Sequence, residues 1–416
     1  MKLLYGCLIA GAIFSSGLFI VPVYAASLTL SQALALAEQH SPMLKVAGSQ
    51  TLGAQAALDT AQAYPNPEIE FGAGTSRFLS PSTQVGQNSQ VTVSQPMELP
   101  SLRGARQRAA EAGIVSGAAL LEDARLSLYA QVKLAFFEIL RRQDEAMLAE
   151  ENHALLVQIR DRVKLRVEVG ESPRYELVKS EAETLTAENT ATSSNTRVVQ
   201  AKDRLRYLLG VPLNDEFEIE RALSLSSELP ELHKLRETLL LNQPLLNYSG
   251  AEAQRATAKL EQERSLRIPQ PILRWSSERQ PDVNLWRVSV VLQMPLWNRR
   301  SGPIGEAQAN LVRAQAEQER IRSGLLGELD QAYGRYKIAI RQMYIFENGL
   351  LRDAETALKV AEAAYRHGER GILDYLDAQR VFRSTRMDYL NARYELQFSL
   401  IDIERLCATQ LAGELK

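Results

Sequence analysis

Cysteine is nearly absent from this chain of 416 residues. Cys7 sits in the first 25 residues and Cys407 close to the end. Once the first segment is removed, a lone cysteine remains. That excludes an intrachain disulfide and reads as a buried helical thiol. After residue 25 there is also no apolar run long enough to span a bilayer as a helix, so any membrane passage must be made by β-strands. Histidine is scarce. His40, His153, His233 and His367 have no second histidine or cysteine at ligand spacing, and there is no His-Glu-x-x-His, so no metal site is expected. The formal net charge is only −2, which argues against a nucleic-acid partner. Gly72-x-Gly74 opens no helix and is not a nucleotide loop. No nucleophile constellation stands out, and the sequence calls for neither enzymatic activity nor a cofactor.

What is present begins with an expected signal peptide over residues 1–25. Lys2 supplies the positive start, Leu8 to Val23 is apolar, and Val23-Tyr24-Ala25 offers a small-residue cleavage site. Leu4-Tyr5-Gly6-Cys7 resembles a lipoprotein box, but the apolar region follows the cysteine, so no lipid anchor is expected there.

Prolines and alternation punctuate the rest. Thr29 or Ser31 can cap a first helix that runs to about Ala63 and is interrupted at Pro42. Alternating segments at Glu68–Ala73 and Gln90–Ser94 predict two strands. A proline-free stretch from Leu102 to Val169 predicts a helix about 100 Å long. Its 3-4 seams are Tyr129, Val132, Phe136 and Ile139, then Leu155, Ile159, Val163 and Val167. Gly170 to Pro173 turns the chain into a returning helix to about Leu208, and Gly210 to Pro230 reads as a connector.

The second half replays this order. A helix covers about Leu235 to Arg267, and strands are predicted at Ile272–Ser277 and Leu285–Gln293. A second long helix is expected from Pro303 to His367, and a last one from Ile372. The two turns themselves align, with Gly170-Glu171 on Gly368-Glu369 and Glu176 on Asp374. An internal repeat decides architecture before any local motif. The expected organisation is a first repeat over 26–230 and a second over 231–416.

Four strands cannot close a barrel, and open edges are not tolerated in hydrocarbon. Several chains must therefore pool their strands if these cross a membrane. Trp275, Trp286 and Trp297 are candidates for an aromatic belt. Arg103, Arg106, Arg108, Arg299 and Arg300 cluster where long helices begin, and are expected to anchor at the rim. A soluble sheet packed on the helices is the alternative.

The doubled order, with Arg166-x-x-x-Gly170, Tyr365-x-x-Gly368 and Leu373-Asp374-Tyr375-Leu376-Asp377-Ala378, resembles the TolC-like outer membrane efflux family over the whole mature chain. Pro65-Asn66-Pro67-Glu68, Ser94-Gln95-Pro96-Met97-Glu98-Leu99, Arg103-Gly104-Ala105-Arg106 and Pro295-Leu296-Trp297-Asn298-Arg299 are most similar to its heavy-metal branch, the cobalt–zinc–cadmium type. Pro100-Ser101-Leu102 departs from the glycines common there, and Pro173 sits in a variable tip.

The resemblance implies a mainly α fold with a small β part. Duplicated long α-helical hairpins form an α-barrel tunnel, and four strands contribute to a trimeric transmembrane β-barrel. It implies an outer membrane location with the tunnel in the periplasm. The implied partners are two further copies in a homotrimer, a periplasmic adaptor, an inner-membrane RND-type pump and outer membrane lipid. The implied cargo is divalent heavy-metal cations. Drug efflux or type I protein secretion is the rival for cargo. A periplasmic adaptor or a structural coiled coil is the rival in class, and two hairpins with strands between them speak against both.

Asp374 and Asp377 share one helix face. They are open to two readings: a carboxylate ring at the periplasmic gate, or acids favoured at a helix start by its dipole. Glu176, Tyr365 and Arg370 match gate positions that in the family link neighbouring hairpins. Arg166, Gly170, Glu171, Gly368 and Glu369 match the adaptor-docking tips.

Overall fold

The computed structural model describes residues 27–77, 85–214, 217–221 and 229–409. The expected signal peptide, and Cys7 with it, lies outside them. The order is α1 (Leu30–His40), α2 (Pro42–Gln62), β1 (Glu68–Arg77), β2 (Val85–Pro96), α3 (Pro100–Glu168) and α4 (Arg174–Leu209). It repeats as α5 (Leu232–Asn242), α6 (Pro244–Ser265), β3 (Pro271–Arg279), β4 (Asn284–Leu292), α7 (Ser301–Ile345), α8 (Leu351–Arg366) and α9 (Ile372–Cys407). The fold is mainly helical with one small sheet, as the sequence implied.

Local chemistry sets the boundaries. Thr29 caps α1 in a capping box with Gln32. Pro42 and Pro244 each stand at the first position of a helix, where no amide hydrogen is missed. The expected second long helix is not continuous. A π-helical turn, Phe346–Leu350, separates α7 from α8, and Gly349 leaves helical geometry there at φ 160°, ψ −41°. Glycine has the backbone freedom to break a helix that proline counting alone reads as unbroken.

The helices pack around three apolar cores. Leu128, Val132, Phe136 and Ile139 of α3 meet α1, α4 and α9. Leu329 and Ala332 of α7 meet Leu235, Leu239 and Ile403. Ile159 and Val163 meet Tyr365, Ile372, Tyr375 and Leu376 near the hairpin ends. Cys407 is fully buried beside Leu235, and burial pushes its thiol up to about 11.

The four strands form one antiparallel sheet in the order β1-β2-β3-β4. The strands outrun the alternating segments. Gly86 to Ser89 joins β2 by pairing with Ala73–Ser76 of β1, although its side chains are polar or absent. One face carries Ile69, Phe71, Leu273, Trp275, Trp286, Val288, Val290 and Leu292, all exposed. Phe71 is 78% and Trp286 76% exposed. The other face carries Glu68, Glu70, Ser94, Arg274 and Arg287, and Arg274 donates to Ser94 at 3.3 Å. The sheet is thus apolar on its uncovered side, the opposite of a soluble sheet lying on helices.

Most of the basic cluster has another task. Arg103 donates to the Gln62 carbonyl and stacks on Tyr64 at 3.9 Å. Arg106 donates to the carbonyls of Ala61 and Ala63 and clamps Glu98 with two bonds of 2.5 and 2.7 Å. Together they satisfy the last carbonyls of α2 where helix meets sheet. Arg108 and Arg300 pair with Glu261 and Glu263 of α6. Four of the five arginines expected at the rim therefore have carboxylate or carbonyl partners within the chain.

Candidate functional site at the hairpin tips

The two tips share the same pair of closing backbone bonds. In the first, Glu171 N–H donates to Arg166 O at 2.8 Å and Gly170 N–H to Val167 O at 3.1 Å. In the second, Glu369 donates to Ala364 at 2.9 Å and Gly368 to Tyr365 at 3.2 Å. Gly170 (φ 79°) and Gly368 (φ 75°) both occupy the left-handed region. This is a Schellman-type stop, and it explains why glycine stands at both turns. Glu171 and Glu369 are exposed just beyond these stops, and Arg166 lies 3.9 Å from Glu171.

Tyr365 faces inward and is only 8% exposed. Its ring stacks on Tyr375 at 5.8 Å, and the Arg166 guanidinium lies 5.0 Å from its centre. The Tyr365 hydroxyl is buried and has no hydrogen-bond partner among the described residues. The ring thus joins the α3 end to the α8–α9 hairpin within one chain.

Asp374 and Asp377 stand on the outward face of the first turns of α9, 53% and 74% exposed. Their helix neighbours Tyr375, Leu376 and Gln379 point into the core. Arg370 lies 3.4 Å from Asp374, and Arg380 lies 3.9 Å from Asp377. Exposed pairs of this kind hold weakly, about 0–1 kcal/mol, so each carboxylate keeps most of its field toward solvent. Glu176 is half-buried on the first turn of α4 and makes no side-chain bond or ion pair among the described residues. The fold brings Arg166 to Tyr365 and Arg370 to Asp374, but does not bring Glu176 to either.

Spacing along the chain gave no sign of several contacts between hairpins. Arg380 bridges to Glu183 at 3.0 Å, Arg386 to Glu151 at 2.8 Å, and buried Gln379 bonds Asn152. These partners are 197 to 235 residues apart, beyond the reach of any periodicity argument. Among the described residues no group of three or more His, Cys, Asp or Glu side chains could hold a metal ion.

The chain is similar in sequence to the cobalt-zinc-cadmium resistance protein CzcC of Cupriavidus metallidurans. The two are 25% identical over 397 residues, 94% of this chain and 93% of that protein. The nickel-cobalt-cadmium resistance protein NccC of Alcaligenes xylosoxydans xylosoxydans is 25% identical over 303 residues, 71% of this chain and 66% of that one. The crystal structure of the CmeC outer membrane channel of Campylobacter jejuni has the same fold. Its TM-score is 0.79 at 18% identity, covering 91% of this chain and 85% of that one. The family described as outer membrane efflux protein matches residues 33–211 and 235–409, most of both halves, and the chain belongs to that family.

Proposed function

We propose that this outer membrane efflux protein is the exit duct of a tripartite system whose cargo is divalent heavy-metal cations. The observation that carries the cargo is the similarity to a cobalt-zinc-cadmium resistance protein along 94% of the chain. The uncovered apolar face of the sheet supports a trimer that pools its strands into a barrel of about twelve. In that assembly the helices form a tunnel in the periplasm, the tips at Arg166, Gly170, Glu171, Gly368 and Glu369 dock an adaptor, and an inner-membrane pump of the RND type supplies the energy. Asp374 and Asp377 from three chains ring the tunnel end, with Glu176, Tyr365 and Arg370 holding it narrow. A duct needs no tight metal site, because conduction requires release.

Deleting the gene in a host cleared of redundant efflux genes is expected to sensitise it to zinc, cobalt, cadmium or nickel. Unchanged metal tolerance with new drug sensitivity would move the cargo to the rival class.

A further inference from the structure

The outer edges of the sheet, along β1 and β4, have no strand partner among the described residues. Inside a bilayer such edges must be paired. The geometry points to β4 of one copy pairing with β1 of a second copy in one register, with Val288 of the first opposite Ala73 of the second. This rests on the trimeric-barrel reading above and adds to it the residues that meet at the joint.

Direction and facing come first. The order β1-β2-β3-β4 is antiparallel throughout, so a following β1 is antiparallel to β4 as well. The apolar residues Ile69 and Phe71 must continue the face of Trp286, Val288, Val290 and Leu292. Slips of one residue turn that face inward, so only registers differing by two survive.

Stagger then selects among them. Glu68, Ser94, Arg274 and Ser289 form one cross-strand row. At the end nearer the helices β1 starts on this row, whereas β4 reaches three residues past it, to Leu292. Across three strand-to-strand steps that end therefore shifts by three residues. The fourth step brings the shift to about four, the even value that the faces allow.

Overlap agrees with stagger. With a shift of four, all nine residues of β4, Asn284–Leu292, face Ile69 to Arg77. A shift of two leaves Leu292 past the start of β1, and a shift of six leaves Ile69 and Glu70 past the end of β4. Closure agrees too. Four residues over four strands is one per strand, which at ~3.3 Å rise and ~4.8 Å spacing tilts the strands by roughly 35°. That is the inclination at which membrane barrels close. Outside, Val290 and Leu292 then meet Phe71 and Ile69. Inside, Ser289 and Arg287 lie opposite Gly72 and Gly74, whose missing side chains leave room for the arginine.

Double-cysteine variants of the full chain test the register, because Cys407 is buried and stays silent. Ala73→Cys with Val288→Cys is expected to yield disulfide-linked chains on oxidation, several-fold faster than Ala73→Cys with Trp286→Cys or with Val290→Cys. Faster linkage through position 286 or 290, or no linkage in a protein with trimeric mass, overturns the register and leaves the trimer. No linkage in a protein of monomeric mass in mild detergent overturns both.

Discussion

At the scale of single residues, charge on the first turns of α9 separates a gate from an ordinary helix start. Arg370 and Arg380 offset Asp374 and Asp377 only through exposed contacts, and three-fold assembly would set six carboxylates near one axis. The double change Asp374→Asn and Asp377→Asn is expected to lower cation selectivity in planar-bilayer recordings while the trimer persists. Wild-type selectivity and divalent-cation block in that variant would return the acids to the helix dipole. Asp123 makes a different point. Burial raises its carboxyl above the usual range, more than Arg405 lowers it. A raised native value means that its favourable contribution is full below the unfolded pKa and is lost as pH rises through the native one. Asp123→Asn is therefore expected to match wild type in thermal midpoint near pH 3 and exceed it near pH 7. An equal midpoint at both pH values would show that the site does not penalise the charge.

Helices and turns set the reach and ends of the hairpins. At both tips a glycine in the left-handed region closes the same pair of bonds, and beyond its chain neighbours no described residue lies within 4 Å of the Cβ that either would gain. Substitution there tests backbone conformation alone. Gly170→Ala or Gly368→Ala is expected to cost about 1–2 kcal/mol locally. Exchange of the Glu171 or Glu369 amide should then quicken by roughly tenfold, without loss of the trimer. Unchanged exchange would mean that the tip relaxes into another turn. Between the hairpins, the buried Gln379 amide donates to Asn152, a directional bond that favours one alignment of the two hairpins along their length.

In the whole molecule the sheet is built inside out relative to a soluble protein. Its apolar face is bare, and its polar face would line the lumen of the proposed barrel. Neighbouring positions in one strand should therefore respond oppositely to the same charge. Val288→Arg places a cation on the lipid face near the middle of β4 and is expected to cost about 2–4 kcal/mol in urea titrations of folding into vesicles. Ser289→Arg, one residue on, points to the lumen and is expected to be near neutral. Equal penalties at the two positions would show that β4 does not separate lipid from water.

The amino-acid sequence by itself determined the repeat, the long first helix and both glycine stops. Each of these is written in local composition and punctuation: proline at helix starts, glycine where the backbone must turn left-handed, alternation where one strand face is apolar. Only the tertiary structure decided the rest. Gly86 to Ser89 is strand because β1 lies beside it, and its own side chains do not demand it. Phe346–Leu350 interrupts a helix that carries no proline after Pro303. Arg103 and Arg106, expected at a membrane rim, bind the end of α2 because the turn after it delivers free carbonyls to them. Tyr365 meets Arg166 and Gln379 meets Asn152 only when two distant hairpins lie side by side. A periodic pattern tells which face of a helix seeks cover. Which partner covers it depends on contacts between residues far apart in the chain, and those exist only once the chain has folded.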